Sequence, residues 1–409
     1  MEGKKQGFGV ETLKACSKKI KENMNAKDIG TTALMLCMFI FYTLTFFVPR
    51  FYGLTEKYVG LFVFVMLIAI VAININPFDK IRQKDRKFLA LILLLGLTGI
   101  NILLVKSGLG CFFVMADFAL IWYVSSEIRF MKWQFNLIGA CYVAMLIYWF
   151  FGVYTWMFAD YTSFAMNTNT AATFTVFSML CVFVFLDALY EKHKIAGLFI
   201  TVAMVKCLQI SLYHRSRGAF IMLLVFIVLR FIVPASFWEK KGFYYTVCAL
   251  ATLGSLAFVA FYIWLGTTGV NFRMPFFYKN IFSGREAIWL EFWEMFRHKP
   301  LTGIGTGVTI TSFFEFNVHN AMYNILVIHG VPVFGLMLYL MFTTWARKRE
   351  GISGRKVACC ALAAVFSVCF ESFFDVDLIW TNYSINMLFL VLALNSDFQS
   401  GKSGYYGQE

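Results

Sequence analysis

His214, Arg215 and Arg217 stand together in SLYHRSRGAFIMLLVFIVLR (residues 211–230), between two apolar runs. A guanidinium at such a border either snorkels as an anchor or holds an oxyanion, to which its forked N–H groups offer several directed donors. One further segment adds Arg273, Arg285 and Arg297, and then NVHNAMYNILVIHG brings His319 and His329. An interfacial histidine is an amphipathic anchor or a proton acceptor, and spacing alone leaves both readings open for His319. His329 lies about 15 Å further along a helix, where a satisfied buried contact is the expected role.

These groups belong to a chain of 409 residues that is 60% apolar and only 14% charged, against roughly a quarter charged in soluble domains. That composition excludes an ordinary globular enzyme. Apolar runs near the 20 residues needed to cross a bilayer recur near 30–49, 58–77, 88–105, 109–125, 135–156, 171–190, 195–213, 218–233, 243–265, 320–345, 357–372 and 381–395. The fold class is therefore all-α: a polytopic integral membrane protein of about 12 transmembrane helices, with a large outer loop at 266–318 between late helices. Residues 1–29 read as a retained basic tail rather than a signal peptide, 30–395 as the membrane domain and 396–409 as a second tail.

Charge sets the orientation. Of the 36 Lys and Arg, 25 fall on one side, in the tails and in loops such as DKIRQKDRK and ARKREGISGRK, and the positive-inside rule makes that side the cytoplasm. Both termini are then cytoplasmic, and Arg215, Arg217, Arg273, Arg285 and Arg297 cluster on the disfavoured outer side, which calls for a ligand. The same distribution explains the net charge of +13 without nucleic acid as a partner. The ten cysteines include no CxxC, and most lie in apolar runs, so neither a metal site nor a disulfide framework is expected.

Within the outer loop, SGREAIWLEFWEMFRHKP (283–300) carries Ile288, Trp289, Phe292, Trp293 and Phe296 at three- and four-residue intervals. That spacing makes an amphipathic helix suited to the headgroup layer, with Glu286 and Glu291 pairing with nearby basic residues. LTGIGTG follows, and its Gly303, Gly305 and Gly307 would let backbone approach something closely. Glu371, Asp375 and Asp377 crowd the last outer turn, where a solvated acidic turn is the first reading and ligand binding the second. Asp117, Asp187 and Lys206 are costly inside spans unless paired or near a surface; Asp187 lies close to the cytoplasmic end.

Three blocks resemble the O-antigen ligase and O-antigen polymerase superfamily: SRGAFI (216–221), SGREAIWLEFWEMFRHKPLTGIGTG (283–307), and HN (319–320) followed by nine residues and Gly330. The resemblance is specific over about 200–335, within a ligase-like region of about 200–345, and only architectural elsewhere. It implies a metal-independent inverting glycosyltransferase of the bacterial cytoplasmic membrane, without cofactor, that takes a glycan from undecaprenyl diphosphate at the outer face. Arg217, Arg285 and His319 match the catalytic positions. Asn320, Gly303, Gly305 and Gly307 match substrate-binding ones, with His214 and the additional Arg215 beside them. Ile221 stands where the ligases favour Leu.

The partners implied are the lipid-linked glycan, membrane lipids and a glycan, lipid or protein acceptor. A repeat-unit polymerase is the first expectation and a ligase the second, since both share donor chemistry. A transporter or flippase is a third, kept open by Asp117 and Lys206.

Overall fold

A computed structural model describes residues 25–154, 168–190, 193–269, 274, 277, 284–312 and 317–396. Most of both expected tails, and Arg273 of the outer loop, lie outside these residues. Fourteen α-helices follow one another among the described residues: α1 Ala26–Phe47, α2 Pro49–Asn74, α3 Pro77–Arg82, α4 Arg86–Val105, α5 Leu109–Glu127, α6 Lys132–Tyr148, α7 Thr168–Tyr190, α8 Ile195–Tyr213, α9 Arg217–Ile227, α10 Lys241–Thr267, α11 Arg285–Phe296, α12 Ala321–Lys348, α13 Lys356–Glu371 and α14 Ser384–Asn395. No strand occurs among them.

Nine helices among the described residues are long and apolar enough to cross a membrane, which makes this a polytopic helical membrane protein. Three further helices, α9, α13 and α14, occupy expected spans but run only 11, 16 and 12 residues. α9 is continued by a π-turn at Val228–Ile232. Packing explains the shortness of the other two. α13 and α14 pair with each other and are enclosed by α5, α7, α9 and α10, so they meet protein rather than lipid. The run Ala358–Ala364 (ACCALAA) brings the α13 backbone close to its neighbours, because small residues substitute dispersion contact for the hydrophobic drive that lipid cannot supply.

Buried polar pairs fix the register of this core. The Asn386 amide of α14 donates to the Tyr42 hydroxyl of α1 and accepts from the Tyr142 hydroxyl of α6, while Tyr42 also bonds Ser178 of α7 at 2.7 Å. One network thus ties four helices, each group satisfied where an orphan would be costly.

The two ends of the bundle differ. At the basic end Lys80 pairs with Asp85 and Glu127, and Arg230 with Asp187 at 2.7 Å, so Asp187 is a paired charge. Lys206 instead bonds Gln209 on the exposed face of α8. Asp117 is 1% exposed, and neither carboxyl oxygen is hydrogen-bonded among the described residues.

The opposite end carries α11, and here one expectation is corrected. Ile288, Trp289, Phe292 and Phe296 are buried against Tyr262, Tyr323 and Val327, so the apolar face docks on the protein instead of lying in lipid headgroups. The Trp289 indole donates to Val318 O at 2.6 Å, and the Tyr323 hydroxyl donates to Trp289 O at 2.9 Å. Trp293, expected on the same face, is 45% exposed. Among the described residues Glu291 also finds no basic partner: it accepts from the Thr311 amide and hydroxyl and from the Ser312 amide. Against the effect of burial, those bonds pull its carboxyl down to about 2.

Candidate functional site

A break in α12 builds the rim of the site. Gly330 has φ +87 and Pro332 has no N–H, so helical hydrogen bonding fails between Val327 and Val331. The glycine turn restores it from outside. Ile304 N donates to Val327 O and Gly305 N to Ile328 O, while Val331 N donates to Pro300 O and the Asn101 amide to His329 O. This exchange needs close backbone approach. A Cβ on Gly303 would lie 2.2 Å from Ile328 O, and one on Gly330 2.3 Å from Leu301 O. Both residues also have positive φ. The partner that the glycines approach is therefore α12 itself, with Gly305 and Gly307 seated against Ser107 and Lys106.

The turn after α8 separates the three basic residues of the opening block. Arg215 takes φ +52 and points to the exposed surface. His214 is 5% exposed, with Nε2 3.3 Å from the Tyr154 hydroxyl, and burial pushes its imidazole down to about 4. Neither residue lines the cavities described below, where substrate contacts had been expected. Arg217 opens α9 on the inward side, is hydrogen-bonded to Tyr262 of α10, and feels the charge of Arg285.

Arg217 and Arg285 share a narrow cavity of about 30 Å³ with Asn169, Thr173, Glu371 and Asp375. Gly218 makes the room: a Cβ there would meet Glu371 Oε1 at 2.6 Å. Through Asn169, Thr173, Arg285 and Asp375 this space adjoins a wide cavity of about 670 Å³, within the range of ligand pockets. His319 lines the wide cavity. So does His329, whose buried ring also lies 3.8 Å from Cys111 Sγ, so the deeper histidine is part of the site rather than a core contact alone.

Asp375 joins the two cavities. Its carboxylate lies 3.9 Å from Arg285 Nη2 and 3.6 Å from His319 Nδ1. Burial acts to raise it, but the His319 contact and the Arg285 charge outweigh that and hold it below the ordinary carboxylate value. Asp377 behaves oppositely: burial, then the charge of Asp375, push it up to about 8, and its carboxyl is hydrogen-bonded to Glu371 and Thr173. With Glu371 1% and Asp377 7% exposed, the reading of this segment as a solvated turn is corrected. Carboxyls this close and this buried share protons rather than ionise together.

His319 has φ +50, a left-handed conformation uncommon for a residue with a side chain. It is held there by Asn317, which accepts from His319 N at 2.9 Å, and by the bond from Ala321 N to Ser372 O at 3.1 Å. Asn320 beside it is fully buried as the N-cap of α12. Its side-chain oxygen accepts from Tyr323 N and from the Ser255 hydroxyl, and its amide donates to Phe373 O. With those bonds made, Asn320 holds the start of α12 and lines neither cavity.

Sequence reasoning missed Tyr52 and Glu56 of α2, which line the wide cavity, and Tyr262 of α10, which is hydrogen-bonded to Arg217. For the acids a signal existed: FFDVDLIW surrounds them with aromatic residues that a solvated turn has no reason to carry. The chain matches no family model, and no curated protein matches it in sequence.

Proposed function

We propose that this protein is a membrane glycosyltransferase that moves an undecaprenyl-diphosphate-linked oligosaccharide, and that it works as a repeat-unit polymerase. In this reading all twelve apolar helices span the bacterial cytoplasmic membrane, the basic end faces the cytoplasm and the cavities open at the outer face. One observation carries the reading: two guanidiniums from separate elements, Arg217 and Arg285, converge beside a histidine–carboxylate pair.

The chemistry follows from that set. The donor diphosphate would sit against Arg217 and Arg285, whose forked donors suit phosphate oxygens. An acceptor hydroxyl attacks the anomeric carbon, the bond from that carbon to the phosphate oxygen breaks, and undecaprenyl diphosphate leaves with the electron pair. The hydroxyl proton passes to His319, and Asp375 stabilises the imidazolium that results. The guanidiniums stabilise the charge arriving on the leaving group, a task that needs preorganised donors. Attack from the face opposite the leaving group inverts the anomeric centre.

The purified chain in detergent, given undecaprenyl-diphosphate oligosaccharide, should release undecaprenyl diphosphate and form longer glycan. Arg217→Ala should abolish that product while the protein remains monodisperse. Growth in whole repeat units marks a polymerase, and transfer only to an added lipid or protein acceptor marks a ligase. No transfer in micelles, which have no compartments to transport between, would sink the enzymatic reading.

A further inference from the structure

The wide cavity extends well beyond the groups just assigned to chemistry. Past His319 and Asp375 it runs over Tyr52 and Glu56 of α2, Asn324 of α12 and Trp380 of the turn before α14. T-shaped contacts with Tyr383 at 5.2 Å and Phe46 at 6.4 Å fix the indole plane of Trp380. A held aromatic face beside carboxylate and amide groups is what a pyranose ring requires, since its C–H face packs on the ring while its hydroxyls bond the polar groups.

The charges are unequal. Among the described residues, Arg285 is the one Lys or Arg that lines this cavity, and it already faces Asp375. The carboxyls are three, Glu56, Asp375 and Asp377, of which Asp377 keeps its proton at neutral pH and leaves two that carry charge. An anionic sugar here would meet Glu56, while Arg285 and His319, the groups that could offset the repulsion, already face Asp375; a hydroxyl or ammonium group would find an acceptor in Glu56.

The geometry points to this wide end as the acceptor subsite, which takes a neutral or amino-bearing sugar on Trp380, held by Glu56, and rejects a uronic acid. The word acceptor rests on the transfer reading; the sugar selectivity is measured separately from it.

Calorimetry on the full chain in detergent can use three tetrasaccharides as probes: N-acetylglucosamine as the neutral one, glucosamine as the amino one and galacturonate as the acidic one. The neutral and amino probes should bind, and galacturonate should bind at least about tenfold more weakly, a gap of about 1.4 kcal/mol. Glu56→Gln should raise galacturonate affinity about tenfold and remove any advantage of the amino probe. Trp380→Ala should weaken all binding about tenfold, and Trp380→Phe, which keeps a ring, should restore most of it. Arg217→Ala should keep sugar binding while losing transfer, so failure of the subsite and failure of the enzyme are told apart. Equal binding of galacturonate, an unchanged ranking in Glu56→Gln, or no binding by any probe would each overturn the assignment.

Discussion

His319 Nδ1 stands 3.6 Å from a carboxylate oxygen of Asp375, although 55 residues and two helices separate them in the chain. In the proposed transfer a carboxylate held there orients the ring and stabilises the imidazolium. Asp375→Asn should therefore lower kcat about 100-fold or more with tetrasaccharide binding retained, since general-base assistance contributes about 10²- to 10⁴-fold. Turnover by the Asn variant within a few-fold of the native rate would remove Asp375 from the mechanism.

The Arg217 and Arg285 pair should tolerate Lys poorly. An ammonium restores charge but not the fork, so Arg217→Lys and Arg285→Lys should each lose about 10²-fold or more in transfer. Release of undecaprenyl diphosphate, followed by chromatography, checks this, and full rescue by Lys would mean that bare charge suffices.

Gly303 and Gly330 should be among the least replaceable positions. Alanine at either puts a Cβ within 2.3 Å of a backbone carbonyl and holds positive φ, so a loss of about 2 kcal/mol or more is expected. Gly269→Ala is the contrast. It carries φ +71 in open space and should cost only the backbone term, about 1 kcal/mol. Unfolding midpoints in detergent rank the three, and equal losses would count against the docked turn.

Asp377 should make stability depend on pH. Its folded value of about 8 exceeds the ordinary 3.8, so the folded chain keeps a proton that the unfolded chain releases between those values. Stability contributed by this group is full below about pH 4 and declines as the pH rises through 8. Asp377→Asn should flatten the unfolding midpoint between pH 5 and 8, and an unchanged slope would show that the proton resides elsewhere.

The helices were legible because each apolar run had to be long enough to cross lipid or pack in a core. Their boundaries moved where local chemistry intervened: Pro49 at the first turn started α2 nine residues early, and a 3₁₀ turn at Thr381–Tyr383 delayed α14. Arg217 and Arg285 stood out because they fall outside the basic loops, and His319 because it opens an apolar run; the structure brings all three to adjoining cavities. Asn320 could have been read as a cap, since Asn before an apolar run is an N-terminal signal. His329 is buried against Cys111 as its depth suggested, and what spacing did not show is that the same ring lines the wide cavity. Glu56 and Tyr262 carry no local pattern, and only tertiary packing gives them meaning.

The enclosed α13–α14 hairpin constrains biogenesis. The helices synthesised first surround a space that the last pair must fill, so the early segments insert with their inner faces unsatisfied and settle only after the ribosome has passed residue 395. A nascent chain cut before Lys356 should therefore reach the membrane and yet be cleared by quality-control proteases. Pulse–chase half-lives, with the missing hairpin supplied as a separate polypeptide, would reveal whether late closure governs the survival of the whole.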